Sequence, residues 1–354
     1  MGHYRGGGGV NKILITGAAG RLGGNLTHQA LARGLDVRAL VLPDDPKVSK
    51  LDGLDVEVVE GDLRDRDLCN RLVEGVDGVI HTANILGPSG GMDHGTFFEI
   101  NVTGTWNLLE AAAPLSGRLE RFVHVSSDGV YPMGNHQVDT AYEPVDELHP
   151  KRPLGLYATL KYMGEAMVEG YRQTHGLRTS MIRPAGMFAG QEVLGRWSVA
   201  FVAARIRQAA EMPGSGLHHP DGNAIADDLL ERAERPDQLC AVSDEEGRPW
   251  IYSPADARDV AHACLCALEH PAAVGEVFNA AIPRPFTFPE VAAYLSEKTG
   301  ESVLEATVPV RWVYWSDVRK AKSTIGYVPK GDLERVFDTA LADKAGEPAD
   351  VIPA

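Results

Sequence analysis

The stretch Ile13–Gly24, ILITGAAGRLGG, constrains this chain more than any other part of it. Ile13, Leu14 and Ile15 are three successive apolar residues that read as a buried strand, which Thr16 and Gly17 end. Gly17, Gly20 and Gly23 then recur at every third residue as a helical pattern begins near Leu22. Each glycine has a physical task in such a strand–turn–helix. Gly17 permits the tight turn, Gly20 lets the backbone approach a pyrophosphate, and Gly23 lets the helix pack close to the strand. The turn Gly17, Gly20, Arg21, Leu22 and Gly23 would then offer free N–H groups and the positive end of a helix dipole to phosphate oxygens.

The rest of the chain repeats that alternation. Leu22–Ala32 reads as a helix stopped by Gly34, and Val37–Leu42 as a strand buried on both faces. Val56–Glu60 is a third strand, Asp65–Glu74 a helix that Asp62 could cap, and Asp77–Ala83 a fourth strand. A glycine-rich loop over 84–95 precedes a long helix, Phe97–Ala113. Arg121–Ser126, Gly155–Thr174 and Thr179–Arg183 continue as strand, helix and strand. Strands alternating with helices predict an α/β fold, a Rossmann-like doubly wound parallel sheet. Beyond Pro184 the rhythm is lost, and a smaller C-terminal α/β substrate domain is expected. Its helices are read at Trp197–Ala210, Ala255–Leu268, Phe288–Thr299 and Leu333–Lys344. The expected organisation is a flexible tail over 1–10, a dinucleotide-binding domain over 11–185, a substrate domain over 186–345 and a mobile tail over 346–354. A strand at 276–281 would rejoin the first sheet.

Composition narrows the partners. The net charge of −15 over 354 residues argues against nucleic acid or an anionic membrane, since either needs a basic face. No apolar run is long enough to span a bilayer, and MGHYRGGGGVN lacks the apolar segment of a signal peptide. Cys69, Cys240, Cys264 and Cys266 show no framework spacing and read as core residues, which suits a reduced, cytoplasmic setting. No metal site is expected. His218 and His219 are adjacent, so they point apart and belong to a loop, and His94 reads as a surface residue. His81 reads as packed beside the nucleotide crevice, and Trp312 and Trp315 as packing residues of the second domain.

Tyr157 and Lys161 stand four apart on a predicted helix and so share a face. An ammonium near a phenol favours the phenolate, which is what a tyrosine acid/base requires. With the glycine turn upstream and Ser126–Ser127 closing a strand, the chain resembles the extended short-chain dehydrogenase/reductases of the epimerase/dehydratase branch. The motifs that carry the resemblance run in order along nearly the whole chain: Thr16-Gly17-x-x-Gly20-x-x-Gly23, Gly61-Asp62-Leu63, Val79–Ala83, Asn101–Thr105, Ser126-Ser127 with Val130-Tyr131, Tyr157-x-x-x-Lys161 and Arg183-Pro184. The resemblance implies that Tyr157 moves the proton at the substrate oxygen, Ser127 orients that oxygen, and Lys161 contacts the nicotinamide ribose and tunes Tyr157. It places Asp62 and Leu63 at the adenine, and Ala83, Asn101 and Pro184 along the cofactor.

Departures from the family pattern bear on substrate. Asp128-Gly129 stands where dehydratases carry Asp-Glu, which disfavours 4,6-dehydration. Gly186 stands where nucleotide-sugar enzymes often carry asparagine, and the stretch RPWIYSPADARDV keeps Asp259 without the usual histidine; Arg248 or Arg258 could replace the missing arginine. Val41 and Leu42 end the second strand, with Asp44 and Asp45 beyond them and no arginine for a 2′-phosphate, so NAD is expected, with NADP left open. The function expected is an NAD(P)-dependent oxidoreductase interconverting a secondary alcohol and a ketone on a small molecule, such as a sugar or sugar-acid derivative. A nucleotide-sugar epimerase with tightly held NAD is the alternative, and a non-catalytic dinucleotide-binding protein the third reading. Family habit adds a homodimer built on the helices at 97–113 and 155–174.

Overall fold

The computed structural model describes residues 9–88, 90–132 and 139–354; the start of the tail expected over 1–10 lies, up to residue 8, outside them. Strands β1 (Lys12–Thr16), β2 (Asp36–Val41), β3 (Val56–Glu60), β4 (Gly78–His81), β5 (Arg121–Val125) and β6 (Thr179–Pro184) alternate with helices α1 (Arg21–Ala32), α2 (Arg66–Val73), α3 (His94–Phe98), α4 (Gly104–Ala112) and α5 (Gly155–His175). Then come β7 (Met187–Phe188), α6 (Val199–Ala210), α7 (Gly222–Arg232), β8 (Leu239–Asp244), β9 (Ile251–Tyr252), β10 (Ala255–Asp256), α8 (Ala257–Glu269), β11 (Val277–Ala280), β12 (Phe286–Thr287), α9 (Phe288–Thr299), β13 (Val303–Val308), β14 (Val313–Tyr314), α10 (Arg319–Ile325) and α11 (Leu333–Ala345).

Seven strands make one parallel sheet in the order β11-β6-β5-β4-β1-β2-β3. The order reverses at β1, which lies between β2 and β4, and ligands of open α/β sheets bind at such a reversal, beyond the carboxyl ends of the strands. The continuous apolar runs follow from burial on both faces. Ile13 and Ile15 face a core shared with α1 and α8, while Leu14 faces a second core with α2, α4 and α5. The first of these cores continues without a break into Trp197, Trp250, Phe288 and Phe337, so the part of the chain beyond residue 186 is joined to the sheet by common apolar packing.

Several expectations are corrected. The helix expected over 97–113 is broken into α3, a π-helical turn over Glu99–Thr103 and α4. That turn carries Asn101, whose side chain holds the backbone of Ile85 through Oδ1 (3.0 Å) and Nδ2 (3.2 Å). Asp65, not Asp62, caps α2, accepting from the N–H groups of Asp67 and Leu68. The stretch 186–250, where only the helix at Trp197–Ala210 was expected, also holds α7 and β8, and β8 pairs in parallel with β13 across roughly sixty residues of chain. Trp315 is 37% exposed, unlike the buried Trp312.

The tail over 346–354, expected to be mobile, is held against α1. Asn25 Nδ2 donates to Ile352 O (2.8 Å), Ile352 N donates to Asn25 Oδ1 (3.0 Å), and Lys50 Nζ donates to Pro353 O (2.5 Å). Val351 is buried beside Ala189 and Ala257. Gly24, which the dinucleotide motif leaves unexplained, is explained by this tail: a Cβ there would lie 2.9 Å from Ile352 Cγ2.

Candidate active site

The glycine turn closes on itself tightly. Gly17 adopts φ +68°, and a Cβ on it would sit 3.0 Å from Ala83 Cα, so β1 and β4 meet at their carboxyl ends through this glycine. A Cβ on Gly23 would lie 2.1 Å from Gly17 O, which no side chain tolerates. Gly20 is the N-cap of α1 and has no side chain to cap it, so the first N–H groups of the helix, including those of Arg21, Leu22 and Gly23, have no side-chain acceptor from it. Such a terminus is a ready anion site. Arg21 itself reaches across to Glu192 (2.5 Å), tying the turn to the segment after β7.

Beneath the crevice runs a buried polar relay. Thr16 Oγ1 accepts from Thr82 N (3.2 Å) and Ala83 N (3.1 Å) and lies 2.8 Å from His81 Nδ1. His81 Nε2 lies 2.9 Å from Thr105 Oγ1, which donates to Asn101 O (2.7 Å). This chain assigns the Nε2–H tautomer, with Thr16 donating to Nδ1. Burial, with Lys161 adding to it, pushes His81 down to about 3, so it is neutral and structural. Beyond β3, Leu63 packs under Gly104, and Asn107 donates to Leu63 O (2.9 Å). Asp62 is clamped by Arg64 (2.7 Å), whose hydrogen bonds hold its carboxyl below the usual range.

The catalytic candidates gather past the ends of β5 and β6. Ser127 Oγ accepts from Gly129 N (3.0 Å) and donates to Asp128 Oδ1 (3.3 Å), and the Ser127 side chain is near enough to the Tyr157 phenol to favour its ionised form. Ser126 is occupied elsewhere: it donates to Glu165 Oε1 (2.6 Å). Glu165 in turn holds Arg183 through two 2.7 Å bonds in a fully buried pair, and Arg183 donates to the Tyr131 hydroxyl (2.5 Å). Tyr131 donates to Asn279 Oδ1 (3.0 Å). Thus Ser126 and Tyr131 brace β5, β6 and β11 while Ser127 faces Tyr157. Glu165 was legible only as a further step along the helix stripe of Tyr157 and Lys161.

Two electrostatic expectations change. Lys161 Nζ donates to Val125 O (2.8 Å), and burial lowers it to about 7. Tyr157 is pushed up to about 12, first by burial, against smaller downward pulls from Ser127 and Arg21. The expected lowering of Tyr157 by Lys161 is therefore absent in this arrangement, because the ammonium is directed at a carbonyl and desolvation of the phenol dominates. Asp128, noted in the sequence only as half of a missing pair, lies beside the candidate catalytic residues. It is buried, its Oδ2 has no partner, and burial pushes it up to about 7 beside Tyr157.

The far wall of the site is aromatic. A Cβ on Gly186 would lie 2.4 Å from the Tyr252 hydroxyl, and Gly186 N donates to the Tyr314 hydroxyl (3.3 Å). Where nucleotide-sugar enzymes often place asparagine, two tyrosines close in. Neither candidate replacement arginine is free for a diphosphate. Arg248 pairs with Asp244 (2.6 Å), and Arg258 with buried Asp256 (2.5 Å). Pro184 is buried where β6 pairs with β11. His94 starts the exposed α3, and His218 and His219 bond to nearby backbone. All four cysteines are buried and unpaired. Among the described residues no group of His, Cys, Asp and Glu has metal-binding geometry.

A glycine turn at a sheet reversal, with serine, tyrosine and lysine collected past the neighbouring strands, defines a dinucleotide-dependent α/β protein. Comparison with known proteins makes that class specific. The NAD dependent epimerase/dehydratase family model matches residues 13–281, and the chain belongs to that family. It is 33% identical over 189 residues to a 3 beta-hydroxysteroid dehydrogenase/Delta 5-->4-isomerase of Mycobacterium tuberculosis, covering 51% of this chain and 48% of the relative. It is 33% identical over 223 residues to sterol demethylase protein B of Methylococcus capsulatus, covering 61% and 64%. The aligned part thus spans about half to two-thirds of these curated relatives. A short-chain dehydrogenase/reductase superfamily protein of Agrobacterium tumefaciens, solved with bound NAD, superposes with a TM-score of 0.73 at 27% identity, covering 95% of this chain and all of that one.

Proposed function

We propose that this protein is an NAD(P)-dependent oxidoreductase that interconverts a secondary alcohol and a ketone on a small molecule. The observation that carries the reading is the grouping past β5 of Ser127, whose hydroxyl lies close enough to Tyr157 to favour its phenolate, with the Lys161 ammonium one helix turn on, held on Val125 O. The residues fit a dinucleotide: the uncapped end of α1 suits a pyrophosphate, and Gly23, with its Cβ position 2.1 Å from Gly17 O, keeps the turn compact. Gly17, Gly20, Arg21, Leu22, Gly23, Asp62, Leu63, Ala83, Asn101, Lys161 and Pro184 are the residues that would line it. NAD is favoured over NADP. Arg38 near β2 is engaged by Glu57 (2.9 Å) and by backbone carbonyls, so no free arginine awaits a 2′-phosphate there. Solved relatives that bind NAD support the same choice.

When bound, the nicotinamide supplies the hydride acceptor or donor. Ser127 orients the substrate oxygen through its hydroxyl, and Tyr157 exchanges the proton of that oxygen. Tyr157 at about 12 stays protonated at neutral pH and has no site for the alcohol's proton, so reaction in the oxidative direction requires a cation to move toward the phenol and favour its phenolate. Lys161, one helix turn away on the same face of α5, would supply that cation by leaving Val125 O. A nucleotide-sugar epimerase would use the same three residues, but Gly186 under Tyr252 and the engaged Arg248 and Arg258 disfavour a diphosphate sugar. Steady-state absorbance of reduced cofactor separates the two, since only net redox accumulates it. A non-catalytic binding protein would bind dinucleotide and turn over no alcohol.

A homodimer through α4 and α5 is part of this proposal. Trp106, Leu156, Tyr162 and Met163 are each at least 37% exposed on those helices, an apolar face that association would cover. A reducing, cytoplasmic compartment suits the four free thiols. Among the described residues no helix is long and apolar enough to cross a membrane. The test of the function is Tyr157→Phe. Turnover of any alcohol the wild type oxidises should collapse while dinucleotide affinity holds, and a fully active variant would remove the catalytic assignment.

A further inference from the structure

Arg196 and Arg205 are two cations held together with no counter-charge. The Arg196 guanidinium lies 5.8 Å from the Phe188 ring centre and 5.5 Å from that of Phe201. Arg205 lies 5.1 Å from Phe201 and 5.9 Å from Trp312. They therefore share one ring, and burial and the neighbouring Arg196 both lower Arg205. Neither forms an ion pair among the described residues, and Arg205 has only a 3.4 Å contact with Gln208. The residues outside the described set contain no aspartate or glutamate, so no acidic partner is hidden there. Half-buried like charges without a carboxylate are costly to hold, and cation–π contact offsets only part of that cost.

The plates under these arginines lead to the catalytic residues. Trp312 stacks on Tyr252 at 5.2 Å, and Phe188 meets Tyr252 edge-on at 6.1 Å. Tyr252 in turn covers Gly186 and interacts electrostatically with Asp128, which interacts likewise with Tyr157. Guanidinium forks match the planar oxygens of a carboxylate or the oxygens of a phosphate. We infer that Arg196 and Arg205 form an anion subsite at the far end of the substrate pocket, so that the secondary alcohol carries a carboxylate or phosphate group away from the reacting carbon. The inference rests on the oxidoreductase reading above for the identity of the pocket, and it names the substrate's charge.

The test uses the full chain and three probes of similar size: glucuronate, glucose 6-phosphate and glucose. Trp312 lies under Arg205, so tryptophan emission reports occupancy, read with and without NAD+ present. Glucuronate or glucose 6-phosphate should give a saturable change that glucose does not, and the tighter of the two tells carboxylate from phosphate. Arg205→Gln and Arg196→Gln should each weaken that probe by about 10- to 100-fold, the scale of a charge-assisted hydrogen bond. Arg205→Lys, which keeps the charge, should lose less, with circular dichroism confirming that each variant is folded. Equal response to glucose, no response to any probe, or unchanged affinity in the Arg196→Gln/Arg205→Gln double variant overturns the inference. Failure of NAD+ to bind the wild type would instead defeat the oxidoreductase reading, because the anion titration is read independently of it.

Discussion

The crevice over β1 and the wall around Gly186 solve the same problem of holding a small molecule by opposite means. At the crevice the ligand-facing groups are backbone. Glycines clear space and a helix end supplies N–H groups, so what is required is the absence of side chains at fixed spacing. At the wall the groups proposed to meet the ligand are side chains: Asp128, Arg196, Arg205, Tyr252 and Tyr314, drawn from five separate segments. The lesson is that a site made of backbone leaves a local pattern in the chain, whereas a site made of side chains leaves one only in space.

That contrast can be broken from either side. Gly23→Val should act most severely, since even its Cβ would fall 2.1 Å from Gly17 O. Dinucleotide binding, followed by fluorescence of the reduced cofactor, should be lost, and retained binding would show that the turn can relax. Tyr157→Phe should cut turnover by about 10²- to 10⁴-fold, the usual worth of a positioned acid/base, at unchanged dinucleotide affinity.

Asp128 sharpens the comparison through pH. Burial raises its carboxyl to about 7, so the folded state holds a proton that the unfolded chain has released. Its contribution to stability is complete below pH 4 and is lost as pH rises toward 7. Asp128→Asn removes that dependence. Relative to wild type, the variant should gain up to about 4 kcal/mol between pH 4 and 8 in denaturant unfolding. Lys161, lowered to about 7, acts in the opposite sense above that pH, so the two windows separate.

Gly186→Ala should cost about 1–3 kcal/mol, because its methyl group meets the Tyr252 hydroxyl, and adding Tyr252→Phe should return part of the loss. If the two changes are simply additive in thermal unfolding, the tyrosine is not what excludes a side chain there. Removing residues 350–354 should cost a similar amount, about 1–3 kcal/mol from the lost Arg258, Asn25 and Lys50 hydrogen bonds. Because the tail binds α1 beyond its first turn, dinucleotide affinity should change little.

The fold was readable where periodicity and glycine spacing are local. The strands β1 to β6 were all anticipated within a residue or two at most ends, since runs such as VRALV and RFVHV have few ways to be satisfied except between two layers of helix. The helix over 288–299 was equally plain, because Thr287 caps it and accepts from Glu290 N. Elsewhere the signal was absent for physical reasons. Strands β8 and β13 pair only because intervening helices return the chain, and α7 lies behind a His-His-Pro-Asp-Gly turn with acidic residues on its open face. The break at Glu99–Thr103 is driven by Asn101 reaching Ile85, a contact no window of sequence contains.

By itself the amino-acid sequence determined a parallel sheet with a phosphate-binding turn, and it named Ser127, Tyr157 and Lys161 as one group. Short-range sterics and helix geometry suffice for the sheet, the turn and the shared face of Tyr157 and Lys161, while Ser127 joins them through the family resemblance. Tertiary structure decided the rest: that Ser126 is spent on Glu165, that Lys161 turns to a carbonyl, that the last residues clamp α1, and that two arginines with no ion pair among the described residues stand over aromatic rings. Desolvation and charge depend on which distant atoms surround a group, and only the folded chain specifies those neighbours.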